Sequence, residues 1–193
     1  HELHFYGIGE SELEYKLHDL MAKSTNPTIA PYAGTGEVKL RVTASLPEGE
    51  DAEALLQPAI KKILAAAGDY CYGIDVPDLQ TAAVQALRKK GLTVASAESC
   101  TGGLVAARLT EVPGASAVFG CGIVSYNNTV KAEVLGVDPA IIEQHTAVSA
   151  ETAAAMAAAI RQKSGAAIGI GITGNAGPSA SEGQPVGLVF VAV

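Results

Sequence analysis

Apolar positions along this chain recur at two different periods, and the switches between them divide it into elements. Leu13, Leu17 and Leu20 fall at helical spacing, which predicts an amphipathic helix over residues 11–22. Residues 37–44 alternate polar and apolar side chains, as a strand buried on one face does. Residues 51–67 return to helical periodicity and run into Gly68, a common helix stop. Helix, strand, helix and then a further strand predict a small α+β unit with helices on one face of an antiparallel sheet. Pro77 interrupts the pattern, and we place the boundary between a unit of residues 1–74 and one of residues 77–193 there.

Beyond Pro77 the rhythm is that of a three-layer α/β/α sandwich: helix over 78–90, strand over 92–96, helix over 103–110 and strand over 117–125. A helical pair, a long Ala-rich helix and two more strands follow. Asp78 suits the start of the first helix, while Lys89, Lys90 and Gly91 suit its end, the cations by the helix dipole and the glycine as a left-handed cap. In such folds ligands gather beyond the carboxyl ends of the strands.

Composition narrows the class. Of 193 residues, 48% are hydrophobic and 17% charged, enough apolar material for a packed core. The longest apolar stretch, residues 153–160, is Ala-dominated and far short of the ~20 residues that span a bilayer. Without a basic and apolar leader, the expectation is a soluble cytoplasmic protein with no membrane partner. Cys71, Cys100 and Cys121 are odd in number and far apart, so they read as reduced thiols rather than as a disulfide framework or a zinc site. His1 and His4 lack metal-ligand spacing, and no metal site is expected.

Charge separates the two units. Through Asp75, six Lys and Arg stand against twelve Asp and Glu, whereas from Pro77 onward seven stand against eight. An acidic first unit repels a phosphate backbone, which argues against a nucleic-acid partner and for a scaffold or a homodimerisation module.

Candidate chemistry concentrates in the turn Ala97-Glu98-Ser99-Cys100-Thr101-Gly102-Gly103, where a strand gives way to a helix. Such a turn exposes backbone N–H groups with no helical partner, and those around Thr101, Gly102 and Gly103 suit an oxyanion or a phosphate. A serine or threonine there is also an ordinary helix cap. Further polar loops follow other strands: Ser125-Tyr126-Asn127-Asn128 with Lys131 close behind, and Thr173-Gly174-Asn175-Ala176-Gly177-Pro178. Between them Ser149 is placed to cap the Ala-rich helix. Hydroxyls, amides, an amine and backbone donors at several strand ends are the parts of an α/β enzyme site.

These motifs, together with Leu135-Gly136-Val137 and His145-x-Ala147-Val148-Ser149, resemble the C-terminal nicotinamide mononucleotide deamidase domain of the CinA-type, competence-damage-inducible proteins over residues 77–193. Residues 1–74, with Gly9-Glu10-Ser11 and Asn26-Pro27-Thr28-Ile29-Ala30, resemble the KH-like middle domain of the same proteins. The resemblance implies hydrolysis of the carboxamide of nicotinamide mononucleotide to nicotinic acid mononucleotide and ammonia, without a cofactor. It assigns Ser99 as nucleophile, Lys131 as base and Tyr126 as a relaying or orienting group. Thr101, Gly102, Gly103, Asn127, Thr173, Gly174 and Gly177 are assigned to substrate binding. Cys100 is the rival nucleophile. Because consecutive side chains diverge at a helix start, only one of Ser99 and Cys100 is expected to face the pocket, with Cys100 packing inward.

The family's N-terminal domain and a later segment bearing a substrate-binding arginine have no counterpart in residues 1–193, so the chain is expected to be a fragment, inactive if that arginine is needed. Two other readings remain open: hydrolysis of a different small amide, and a nucleic-acid-binding adaptor. The adaptor reading needs a Gly-x-x-Gly loop, and Gly34-Thr35-Gly36 has the wrong spacing.

Overall fold

The computed structural model describes residues 1–34 and 36–193, so Thr35 of the Gly34-Thr35-Gly36 turn lies outside the described residues. The chain divides into two compact units, His1–Ala82 and Ala83–Val193.

The first unit runs β1 (Glu2–Tyr6), α1 (Glu10–Lys23), β2 (Thr28–Gly34), β3 (Glu37–Thr43), α2 (Glu53–Ala67), a 3-10 turn at Gly68–Tyr70 and β4 (Cys71–Ile74). Its antiparallel sheet has the order β2-β3-β1-β4. Leu3 and Phe5 of β1 and Leu40 of β3 meet Leu13 and Leu17 of α1 and Ile63 of α2 in one core. Both predicted helices and the β3 strand are present. Two strands, β1 and β2, went unread in the sequence. Only Leu3, His4 and Phe5 of β1 are buried, and β2 carries Pro31 and buries Ile29 alone among its apolar side chains. An edge strand tolerates a proline because one side of its backbone faces no partner, so its pattern is weak by construction.

The second unit begins within α3 (Leu79–Lys90), whose Asp78 carboxylate accepts the Thr81 N–H as an N-cap and whose end is closed by Gly91 at φ +64°. There follow β5 (Val94–Glu98), α4 (Leu104–Thr110), a 3-10 turn at Ala115–Ala117, β6 (Phe119–Val124), a π-helical turn at Val130–Leu135, α5 (Pro139–His145), α6 (Ala150–Ser164), β7 (Ile168–Gly174) and β8 (Val189–Ala192). Ser149 caps α6 by accepting the Thr152 N–H.

The sheet order is β6-β5-β7-β8, with β6, β5 and β7 mutually parallel and β8 antiparallel to β7. One face packs Ala95 and Ala97 under Leu135, Ile142, Met156 and Ile160, while the other packs Val94 under Val84, Leu109 and Val118. This is an α/β/α sandwich following a small KH-like α+β unit. Because the three parallel strands point the same way, the turns after β5, β6 and β7 emerge at one edge. No helix among the described residues is long and apolar enough to cross a membrane.

The Ala-rich helix lies unusually close to β7. A Cβ placed on Gly171 would sit 2.1 Å from the Ala153 carbonyl oxygen and 2.5 Å from the Ala157 nitrogen, so small residues on both surfaces are what permit the approach. Gly120, in contrast, has nothing within 4 Å of such a Cβ. Gly171→Ala is therefore expected to cost about 3 kcal/mol or more, above the usual range for an added methyl because the obstacle is backbone. Gly120→Ala should stay within about 0.5 kcal/mol. Chemical denaturation of the two variants measures the contrast, and equal stabilities would refute the close-packing account.

Candidate active site

The turn after β5 is shaped by a buried carboxylate. Glu98, the last residue of the strand, accepts the N–H groups of Val105 at 3.0 Å and Ala106 at 2.9 Å, and the Ser96 hydroxyl at 3.2 Å. Burial resists its charge, yet these bonds to the start of α4 outweigh that and hold its pKa below the ordinary carboxylate value. The Thr101 hydroxyl lies near the same carboxylate, outside hydrogen-bond geometry. Gly102 at φ +61° and Gly103 at φ +98° take the left-handed conformations that turn the chain from strand into helix.

Ser99 follows directly. Its N–H bonds the Ile172 carbonyl at 2.9 Å, which extends the β5–β7 ladder by one residue and fixes the Ser99 backbone at the sheet edge. After β6, the Asn127 side chain accepts the Val130 N–H and opens the π turn, within which Lys131 is 2% exposed. The Lys131 Nζ lies 3.2 Å from Ser99 Oγ and 3.5 Å from the Tyr126 carbonyl oxygen. Burial pushes its pKa below the ordinary lysine value, with the charge of Glu182 and the Cys100 thiol acting in the opposite sense.

Ser99 and Lys131 open into a cleft of about 380 Å³ between the three strand ends. Among the residues expected at the site, Tyr126, Thr173, Gly174 and Gly177 also line it. Thr173 is anchored by its hydroxyl, which donates to the Ala147 carbonyl at 2.7 Å. Tyr126 is 74% exposed, and it is the backbone oxygen of this residue, not the phenol, that meets Lys131. Thr101, Gly102, Gly103 and Asn127 do not line the cleft; the glycines shape the turn, and Asn128 stands at the wall where Asn127 was expected.

The first-turn amides of α4 are taken by Glu98. The expectation that only one of Ser99 and Cys100 faces the pocket is corrected, because both line it. Left-handed Gly102 and Gly103 delay the helix to Leu104, so Ser99 and Cys100 sit in an open turn where neighbouring side chains need not diverge to opposite sides. Burial holds the Cys100 thiol above its ordinary pKa and thus protonated at neutral pH.

Two residues that motif spacing did not single out complete the wall. Asn175 donates to the carbonyls of Ser179 and Gln184 and accepts the Gly177 N–H, folding the loop after β7 onto itself. Glu182 accepts the Ala147 N–H at 2.8 Å and the Val148 N–H at 3.4 Å, tying that loop to the turn before α6.

Comparison with known proteins agrees with this architecture. Residues 77–193 match the family model described as the CinA C-terminal domain, and residues 1–73 match that of the KH domain of damage-inducible protein CinA. The chain belongs to the CinA family. A CinA-like protein of Dictyoglomus turgidum is 46% identical over 186 residues, covering 96% of this chain and 45% of the relative. The chain spans less than half the length of the curated relatives it matches. A crystal structure of a competence-damaged protein (CinA) superfamily protein from Klebsiella pneumoniae 700603 aligns with a TM-score of 0.56 and 37% identity, over 57% of this chain and 69% of that one. The competence/damage inducible protein of Agrobacterium tumefaciens aligns with a TM-score of 0.53 and 36% identity, over 60% of this chain and 74% of that one.

A buried lysine with a lowered pKa opposes folding. The unfolded chain binds a proton that the folded state resists, so the cost is full below the lowered folded-state pKa, shrinks as pH rises from it and is gone above the ordinary lysine range. Lys131→Met is expected to raise the melting temperature at pH 7, by about 4 °C for each kcal/mol recovered, and to raise it less at pH 10. A thermal scan in which the variant melts below the parent at pH 7 would contradict this.

Proposed function

We propose that the cleft hydrolyses the carboxamide of nicotinamide mononucleotide, giving nicotinic acid mononucleotide and ammonia. The observation that carries the reading is the 3.2 Å contact between a buried lysine Nζ and a buried serine Oγ at the mouth of a cleft. Desolvation favours neutral Lys131, and a neutral amine beside a hydroxyl is a base able to activate it, the serine–lysine variant of nucleophilic catalysis.

In this reading Ser99 Oγ attacks the amide carbon as Lys131 takes its proton. Donors for the tetrahedral oxyanion come from elsewhere in the turn than the Val105 and Ala106 N–H groups, which Glu98 occupies. Collapse breaks the C–N bond, Lys131 returns the proton to the departing ammonia, and a seryl ester remains. Water then attacks the ester, again with Lys131 as base, releasing the carboxylate and restoring Ser99. The Tyr126 carbonyl orients the amine throughout. Cys100 is the weaker nucleophile here, because burial keeps it a thiol and the lysine contacts its neighbour.

The test is ammonia release from nicotinamide mononucleotide by the chain and by a longer form carrying the further segments of its relatives. Ser99→Ala and Lys131→Ala should each lower kcat by about a thousandfold or more, and the double variant should lose little beyond either single one, since both serve one proton-coupled attack. Cys100→Ala should retain most of the turnover. Activity should fall on acidification as Lys131 takes up its proton, with the midpoint below the ordinary lysine pKa. Loss of activity in Cys100→Ala with retention in Ser99→Ala would replace the serine mechanism. Turnover of simpler carboxamides at equal kcat/KM would point to another amide substrate.

A further inference from the structure

Among the residues that line the cleft, Lys131 and Glu182 are the only Lys, Arg, Asp or Glu. The two are not equivalent. Lys131 is buried against Ser99, where desolvation lowers its pKa, whereas Glu182 is exposed at the wall and has only its Oε2 engaged by backbone N–H groups. Its other oxygen makes no hydrogen bond or salt bridge to a described residue. Glu182 therefore sets an exposed carboxylate, held in place by backbone N–H groups, in the wall of the cleft that Ser99 also lines.

A carboxamide ring enters such a cleft in one of two charge states. N-alkylation, as in a nucleotide, makes the pyridine ring a cation; the free base, or a dihydropyridine ring, is uncharged. Resting on the amidase reading above, we infer that Glu182 is a specificity residue that favours N-substituted pyridinium carboxamides over uncharged ring carboxamides. The loop that carries it is folded by Asn175 and pinned by the Glu182 contact itself, so the charge is held in place rather than recruited.

The test pairs two substrates, nicotinamide mononucleotide and its uncharged 1,4-dihydro form, with two proteins, the parent and Glu182→Gln. Glutamine keeps an acceptor oxygen for the Ala147 N–H and removes only the charge. The ratio of kcat/KM for the cationic over the uncharged substrate is expected to fall up to about fivefold in the variant, the size appropriate to an exposed charge pair, and to fall through KM. An unchanged ratio would overturn the assignment.

Binding of 1-methylnicotinamide against nicotinamide, followed by titration calorimetry, gives a second measurement that needs no turnover. The parent should prefer the cation at low salt. That preference should shrink in Glu182→Gln, and also in the parent near 1 M salt, where the Debye length is about 3 Å. Equal preference under all three conditions would refute the inference. Absence of ammonia from both nucleotides, alongside a salt-sensitive and Glu182-dependent cation preference, would end the amidase reading and leave the role of Glu182 standing.

Discussion

The carboxylate of Glu98 is the interaction on which the site depends. It is nearly fully buried at the end of the central strand, and it stays ionised because the first turn of α4 offers it two N–H groups and a favourable dipole. Strand, turn and helix are thereby locked together, and Ser99 is the first residue inside the locked turn. The same bond has a cost in chemistry: it occupies the helix terminus, the usual seat for an anion.

Against that fixed serine stands a lysine that the fold accommodates at a loss. Moving an ammonium out of water costs several kcal/mol even after relaxation, and Lys131 has a hydroxyl and a carbonyl oxygen rather than a carboxylate for company. Leu135, Met156 and Ile160, each buried to within 2%, contribute about 1.5–3 kcal/mol apiece and are enough to offset it. The π-helical turn belongs to the same compromise. It departs from ordinary helix geometry where Lys131 must reach Ser99, as such turns often do at functional positions.

Much of this was legible in the sequence, and the exceptions share a cause. The turn holding Ser99 stood out because it joins an apolar strand to a helical pattern, Lys131 was assigned through the family resemblance, and the long helices α1, α2, α3 and α6 were legible from their periodicity. Strands β1 and β2 were missed because an edge strand with Pro31 and a five-residue strand at the chain start carry too few alternations. Glu98 lay in plain view, and a charge at the end of an otherwise buried strand was itself a signal that a helix terminus waits for it. Cys100 was turned inward because consecutive side chains were expected to diverge at a helix start, whereas the left-handed Gly102 and Gly103 delay that start to Leu104. Glu182 had no local signature at all, since its partners at Ala147 and Val148 lie more than thirty residues away.

The placement of Glu182 follows from topology. Strands β6, β5 and β7 end at the site edge, and three ends alone leave that edge open on the far side of β7. A fourth parallel strand would have carried the chain away through a crossover and returned it at the opposite edge. Because β8 instead runs antiparallel, its connection from β7 must lie at the site edge, whatever its length. A hairpin needs only two to five residues there. Residues 175–188 exceed that, and the surplus, folded by Asn175 and pinned at Ala147 by Glu182, becomes the remaining wall. One reversed strand thus converts an open sheet edge into a cleft, and the group that secures the wall is also the one that charges it.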